Sequence, residues 1–335
     1  MSIVRHLAAL ALLPVLAFAA DAEEVAWKFS NVSRIVAIGD VHGDYDSFVE
    51  LLQQARLIDK KLKWIGKDAH LVQTGDVPDR GPHSRKALEL LMSLEKQALK
   101  SKGRVHALVG NHEAMNIYGD LRYVSKEEYA SYQTDQSEQV RDQFIEAELK
   151  RRLAADPSFD ENKYRLESRS KFPLGFIEHR LAFSENGELG KWIRGHNAIV
   201  QINDLLFLHG GISPKYASQS VPEINARIRA ELGDLSKVQG GVAVDPDGPL
   251  WYRGLALGNL APAALEAILK QLGVNRMVVG HTVHSTITPR YSARLLCIDT
   301  GMLEIYNGGN PTALVVEFGR PTVLENGRFR PLSDQ

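Results

Sequence analysis

Three short glycine-containing phrases carry the side chains of this sequence that are best suited to chemistry. They are residues 39–43 (GDVHG), 75–81 (GDVPDRG) and 110–113 (GNHE). Each follows an apolar, β-branched run that predicts a buried strand, so each phrase lies where a strand ends. Glycine lets the chain turn sharply there and lets the backbone approach a bound ion or phosphate. We therefore expect carboxylate, imidazole and amide groups to meet at one sheet edge, which is the layout of a metal site.

The residue types in these phrases favour particular metals. Asp40 and His42 are separated by one residue, so their side chains point to the same side of an extended segment. Imidazole combined with carboxylate suits manganese, iron or zinc better than calcium. Two such ions about 3.5–4 Å apart can share a water molecule of lowered pKa and clamp a phosphoryl group. The phrases therefore indicate a site for such divalent metal ions.

Two further phrases, residues 209–211 (HGG) and 280–282 (GHT), complete an ordered set of five. The set resembles the calcineurin-like metallophosphoesterases and, within them, the phosphoprotein phosphatases. The continuation after GNHE, with Met115-Asn116 and Gly119-Asp120, is similar to the Shewanella-like bacterial branch. The resemblance spans roughly residues 34–302 and implies an α/β fold, a β-sandwich of two mixed sheets flanked by helices.

The resemblance implies two divalent metal ions, with manganese expected first and iron or zinc as the other candidates. It assigns six side chains to them. Two bind the first ion, one bridges, and three bind the second; in that order they are Asp40 and His42, Asp76, and Asn111, His209 and His281.

Catalytic and phosphate-binding roles also follow from the resemblance. His112 is the expected general acid, which protonates the leaving oxygen, and Asp79 orients it and keeps it cationic. Arg80 and Arg253 are expected to hold phosphate oxygens, together with Asn111. A surface arginine packed beside Trp251 is the alternative for Arg253. Glu113 is expected to stabilise the loop and not to bind metal.

The implied function is a two-metal phosphomonoesterase that acts on phosphorylated protein or peptide residues. Hydrolysis is expected by attack of a metal-bridging hydroxide, without a phosphoenzyme. Pro78 stands where the family commonly has valine, and residues 297–301 lack the tyrosine-bearing loop typical of eukaryotic members, so both phosphoserine/threonine and phosphotyrosine stay open. The alternatives are a hydrolase of diadenosine polyphosphates or other small phosphoesters, and an exported, metal-stabilised binding module without catalysis.

The elements that must position these groups alternate along the chain. Strands are predicted at 34–38, 70–74 and 104–109, with a helix after each of the first two phrases, which is the pattern of an α/β layered sheet. Further strands at 198–202 and 205–208 form a hairpin, and those at 276–279, 294–298 and 313–318 indicate a second sheet. Helices are predicted at 220–232 and 262–272.

Residues 114–191 interrupt this pattern with many charges and few aliphatic residues. We expect a helical insertion with an amphipathic helix between Ser125 and Leu153. Its two interpretations are a solvated decoration and a cap over the metal cleft, and the cap is favoured because the segment leaves directly from the third phrase.

Bulk properties exclude some partners and predict a location. With 335 residues, 44% hydrophobic content and a net charge of −1, the chain has no polyelectrolyte character that would indicate a nucleic-acid partner. Residues 1–20 have a positive start at Arg5, an apolar run and small residues near Ala19 and Ala20, the features of a cleaved signal peptide. We therefore expect a periplasmic or secreted catalytic domain of residues 21–335, without stable membrane insertion. The single cysteine, Cys297, excludes an intramolecular disulfide and is expected to be buried.

Overall fold

The computed structural model describes residues 25–306 and 309–332 of the chain. The predicted signal peptide and its cleavage site therefore lie outside the described residues. No helix in the described ranges combines the length and the apolar character that crossing a bilayer requires.

Twelve strands are formed by the described residues, and they run in chain order as follows: β1 Lys28–Phe29, β2 Arg34–Ile38, β3 His70–Gln73, β4 Arg104–Ala107, β5 Ile199–Ile202, β6 Leu205–Leu208, β7 Arg276–Val279, β8 Thr288–Arg290, β9 Leu295–Cys297, β10 Thr312–Glu317, β11 Arg320–Glu325 and β12 Arg328–Pro331. The α-helices of the same ranges are α1 Tyr45–Gln54, α2 Ser84–Lys100, α3 Asn111–Tyr118, α4 Lys126–Ala130, α5 Ser137–Ala155, α6 Glu161–Lys171, α7 Phe176–Ala182, α8 Glu188–Arg194, α9 Val221–Gly233 and α10 Pro262–Leu272.

The strands form two six-stranded mixed sheets, in the orders β12-β11-β10-β2-β3-β4 and β1-β5-β6-β7-β9-β8. Side chains from both sheets, among them Ile35, Phe207 and Leu314, share one apolar core between them. Because successive residues of a strand face opposite ways, Val36 packs instead into the larger core, which also contains Leu91 of α2. The predicted α/β fold, two mixed sheets flanked by helices, is confirmed.

Local signals fix the predicted helices that flank the site. Asp44 caps α1 by accepting a hydrogen bond from the Ser47 N–H at 3.1 Å. Ser220 caps α9 together with Glu223, and Gly273 ends α10 in a left-handed conformation.

Some elements differ from the sequence-based expectation. The strands β1, β8, β11 and β12 were not predicted; β1 has only two residues, and β11 and β12 mix polar with apolar residues along one edge of their sheet. The single helix expected between Ser125 and Leu153 is wrong, because α4 and α5 are separate helices with a turn at residues 131–136. A chain segment far along the sequence, β10, inserts beside β2 with antiparallel pairing.

Candidate metal centre

The three phrases meet because the strands that precede them are parallel neighbours. Strand β2 pairs in parallel with β3, and β3 with β4, so residues 39–43, 75–81 and 110–113 leave the same edge of that sheet. In the other sheet β6 and β7 are also parallel, and His209 and His281 follow their ends. All six predicted ligands thus come from the carboxyl ends of parallel strands.

Close backbone packing brings the phrases together. Gly75 has a φ of +96°, and a Cβ at this position would lie 2.6 Å from the Gly110 Cα atom. A Cβ on Gly280 would lie 2.5 Å from the Asp40 Oδ1 atom. Both positions therefore require glycine, because a side chain would separate the phrases that carry the ligands.

The carboxylate of Asp76 lies between two groups of ligand atoms. Its Oδ2 atom is 3.2 Å from His209 Nε2 on one side and 3.8 Å from His42 Nε2 on the other. His42 Nε2 is also 3.8 Å from Asp40 Oδ2, and His209 Nε2 is 2.9 Å from Asn111 Oδ1. The ligand atoms of Asp76, His209 and His281 all lie within 4.8 Å of one another. The structure thus brings together all six residues predicted as ligands.

The three histidines of this set each contact a backbone carbonyl through one ring nitrogen. His42 Nδ1 is 3.1 Å from the Pro78 oxygen and His209 Nδ1 is 3.0 Å from the Thr74 oxygen. His281 uses its other nitrogen, with Nε2 at 3.0 Å from the Trp251 oxygen. A carbonyl only accepts, so a neutral ring that donates from this nitrogen has a second nitrogen that can bind a metal.

The charges of the site also fit cations. Burial, together with the neighbouring carboxylates of Asp299 and Asp76, raises the pKa of Asp40 well above its usual range. Burial lowers the pKa of His42 to about 3 and that of His281 to about 2. A buried carboxylate cluster beside neutral imidazoles is a donor set for divalent ions, because the ions remove the repulsion that the cluster otherwise carries.

His112 makes a different set of contacts from the other histidines at this site. Its Nδ1 atom is 2.5 Å from Asp79 Oδ2, and its Nε2 atom faces Asp76 Oδ2 at 3.7 Å. Asn116 supports the pair by donating to Asp79 Oδ1 at 2.9 Å. Burial disfavours the charged imidazole, but the Asp76 and Asp79 carboxylates outweigh it, so the pKa of His112 is raised. By distance His112 could join His42 and Asp76 around an ion, but its Asp79 partner and raised pKa suit proton donation better.

Glu113 holds two of the phrases together through backbone contacts. Its Oε2 atom accepts from the N–H groups of Asp76 and Gly110, and its Oε1 atom from that of Val77, each at 2.8 Å. Asp76 itself has a φ of +59°, a strained value for a residue with a side chain. Glu113 therefore fixes the backbone of the central carboxylate, as expected from the sequence.

The two predicted phosphate arginines stand at the edge of the centre. Arg253 donates from Nη1 to the carbonyl of His281 and, at 3.2 Å, to Thr282 Oγ1. The guanidinium of Arg80 lies between two aromatic rings, 4.5 Å from the centroid of Tyr123 and 5.5 Å from that of Tyr306. The structure therefore places Arg253, an exposed residue, against the His281 loop, and its role as a phosphate arginine stays a prediction.

The family model for calcineurin-like phosphoesterases matches residues 33–285, which include the six predicted ligands, the His112–Asp79 pair and both predicted phosphate arginines. The chain belongs to the calcineurin-like phosphoesterase family. Membership implies divalent metal ions and makes the chain a metal-dependent phosphoesterase.

Relatives and solved structures agree with this assignment. The phosphoesterase is 31% identical to an uncharacterised protein of Schizosaccharomyces pombe over 89% of this chain and 82% of the relative. It is 28% identical to Shewanella-like protein phosphatase 2 of Arabidopsis thaliana over 86% of this chain and 76% of the relative. The crystal structure of a cold-active protein-tyrosine phosphatase from a psychrophilic Shewanella species superposes with a TM-score of 0.72 at 27% identity, covering 92% of this chain and 83% of that one.

Three residues beside the site of the phosphoesterase were missed from the sequence. Residues 297–301 contain no tyrosine, but Tyr306 lies just beyond them, with its ring 5.8 Å from that of His42. Tyr123 packs 5.1 Å from the His112 ring, and Asp299 Oδ2 is a buried oxygen without a hydrogen-bonding partner among the described residues. The carboxylate of Asp299 follows strand β9, and this strand-end position was the signal that could have found it.

Proposed function

We propose that this phosphoesterase is a two-metal phosphomonoesterase for phosphorylated residues of proteins or peptides. The observation that carries the proposal is the His112–Asp79 pair, placed with a raised His112 pKa beside a carboxylate that lies between two sets of metal ligands. Two similar proteins are named as phosphatases of proteins, one as a Shewanella-like protein phosphatase and one as a protein-tyrosine phosphatase. The names support a phosphoprotein substrate.

The ligand roles proposed for the chain follow its contacts. Asp40 and His42 would hold one ion, Asn111, His209 and His281 would hold the second, and Asp76 would be shared between the two groups. We expect manganese, with iron or zinc as the alternatives. When bound, the two ions supply a water molecule of lowered pKa and neutralise charge on the phosphoryl group, so no phosphoenzyme is needed.

The remaining side chains orient the ester and supply the proton. Arg80 and Arg253 bind the non-bridging phosphate oxygens, because a guanidinium can donate two parallel hydrogen bonds to them. Asp79 accepts from His112 Nδ1, which directs Nε2 toward the centre. The proton on Nε2 passes to the leaving oxygen as the bond to phosphorus breaks.

Substrate comparison tests the proposal. With manganese present, we expect turnover of phosphoserine, phosphothreonine or phosphotyrosine peptides at a higher kcat/KM than diadenosine tetraphosphate. A large preference for diadenosine tetraphosphate would replace the substrate class with a dinucleoside polyphosphate. Purified protein that is inert toward p-nitrophenyl phosphate across neutral pH would favour a metal-stabilised binding module instead.

The proposed acid has its own test. For His112→Asn we expect unchanged metal content and a fall in kcat of about 10²–10⁴-fold, the usual contribution of general acid catalysis. Metal analysis and steady-state kinetics on the same preparation check this. Loss of metal together with activity would show that His112 is a ligand.

We also propose that the enzyme is exported to the periplasm or the medium. The basis is the amino-terminal sequence, with Arg5, the apolar run and the small residues near Ala19. Mass spectrometry of the protein recovered from the cell envelope should show a chain that starts after Ala19 or Ala20, and an intact amino terminus would contradict export with cleavage.

A further inference from the structure

Two consecutive residues of the second phrase have a backbone conformation that side chains rarely adopt. Asp79 has a φ of +74° and Arg80 a φ of +72°. Residues with a Cβ persist in this region only where their surroundings hold them. Both residues have proposed roles in the reaction. The contacts that hold the backbone of Asp79 also set the position of His112, the proposed general acid, because Asp79 contacts its ring.

The contacts that hold the pair lead into residues 114–191. The N–H of Arg80 donates to the Tyr123 carbonyl at 2.8 Å. The N–H of Asp79 donates to Ser84 Oγ at 3.1 Å. The N–H of Ser84 in turn donates to Glu128 Oε2 at 3.0 Å. Tyr123 and Glu128 both belong to the first part of the insertion.

Glu128 is buried to a degree that is unusual for a glutamate, because only 1% of its surface is exposed. Its second oxygen, Oε1, is buried with no hydrogen-bonding partner among the described residues. Burial raises the pKa of Glu128 to about 8. A buried carboxyl of this kind is unfavourable by itself, so its contact with the first turn of α2 requires an account.

We propose that Glu128 is a positioning residue for the general acid. Its carboxyl holds the first turn of α2, Ser84 then holds the Asp79 backbone, and Asp79 fixes the His112 ring. This inference rests on the proposed function, since it needs His112 to donate a proton. The start of the insertion then holds the acid in place, and this role does not depend on what the outer helices of the insertion, α5 and α6, cover.

The test uses two substrates that depend differently on the proton. Phenoxide is a stronger base than p-nitrophenoxide, so phenyl phosphate needs the general acid more than p-nitrophenyl phosphate does. For Glu128→Ala we expect kcat to fall about tenfold on phenyl phosphate and about threefold or less on p-nitrophenyl phosphate. KM and metal content should not change, because Glu128 has no hydrogen bond to Arg80, to Arg253 or to any proposed metal ligand.

Further variants separate positioning from folding. Glu128→Gln keeps an oxygen that accepts from Ser84 and should restore activity on both substrates. Ser84→Ala removes the acceptor for Asp79 and should reproduce the selective loss, and the double variant Ser84→Ala/Glu128→Ala should lose little more than either single one. Glu127→Ala, at the exposed neighbouring position, is the matched control and should behave as wild type.

An equal loss on both substrates, or a loss that follows metal content or the folded fraction, would overturn the inference and leave the proposed function standing. Full activity of Glu128→Ala on phenyl phosphate would also overturn it. Wild-type protein that hydrolyses neither phosphate with manganese would overturn the proposed function, and the inference with it.

Discussion

The strand-end loops of the centre and the outer helices of the insertion, α5 and α6, use ionisable residues to opposite effect. In the loops, Asp76 and His209 are at most 2% exposed and each makes several contacts within the site. In α5 and α6, Arg165 forms exposed ion pairs with Glu146 and Glu161. Charged groups in the loops therefore hold one geometry, whereas those on the helices are screened by solvent.

The apolar packing of the loops also differs from that of α5 and α6. The loops lie next to the larger core that contains residues of α1, α2, β6 and β7, whereas α5 and α6 share a separate small cluster of Ile145, Leu149 and Tyr164. The first part of the insertion belongs with the loops, because Tyr123 contacts Arg80 of the second phrase and Glu128 contacts Ser84, which in turn contacts Asp79. The comparison suggests that position relative to the centre, and not membership of the insertion, decides which side chains matter. The bounds of the insertion and its role as a cap stay predictions.

The largest expected effect is on the loops. In Glu113→Ala three buried N–H groups lose their acceptor, at about 1–3 kcal/mol each, so we expect a loss of about 3 kcal/mol or more in the free energy of unfolding. Metal content should fall as well, because Asp76 is no longer held in its strained conformation. Thermal unfolding and metal analysis check both, with Glu113→Gln, which keeps one acceptor oxygen, expected to be intermediate. Full metal content in Glu113→Ala would contradict the conclusion that buried side chains of the loops hold the geometry of the centre.

A smaller effect is expected at Glu128, where the two regions meet. An ordinary glutamate has a pKa of 4.5, whereas burial raises the pKa of folded Glu128 to about 8. Between these values the folded state holds a proton that the unfolded state releases, so stability falls as the pH rises from about 4.5 to about 8. Glu128→Gln cannot titrate and should lose less stability in this window, with slopes that differ by up to about 1.4 kcal/mol per pH unit.

Denaturant unfolding at several pH values measures this difference. Glu127→Gln, at the exposed neighbouring position, is the control and should follow wild type. Parallel stability curves for wild type and Glu128→Gln would show that the Glu128 carboxyl is not protonated in the folded protein.

The smallest effect is expected on the outer helices. Arg165→Ala removes the exposed ion pairs to Glu146 and Glu161, which are screened by water and salt. The melting temperature, the metal content and kcat should stay within experimental error of wild type. A clear fall in kcat would instead indicate that α6 contacts the substrate, as a cap would.

Much of the centre was predictable because its signals are local. A glycine-flanked polar phrase after a β-branched run identifies a strand end, and parallel strands bring their ends to one edge, so Asp40, Asp76 and His112 could be named from the sequence. Tyr306 could not, because its position depends on how the chain folds after β9, and no periodic pattern marks it. Glu128 was missed for a related reason: Lys126 and Glu127 before it are charged as well, and no pattern in the sequence marks Glu128 as the carboxyl that the tertiary structure buries.

The amino-acid sequence by itself determined the layered α/β fold through its alternation of strands and helices. Its resemblance to the calcineurin-like metallophosphoesterases predicted the six ligands and the pairing of Asp79 with His112. Tertiary structure alone decided that β10 lies beside β2, that Tyr123 and Tyr306 flank Arg80, and that Glu128 contacts the first turn of α2. These contacts join segments that are far apart in the chain or of ordinary composition. Their energies arise from burial and from hydrogen bonds that exist only once the chain is folded.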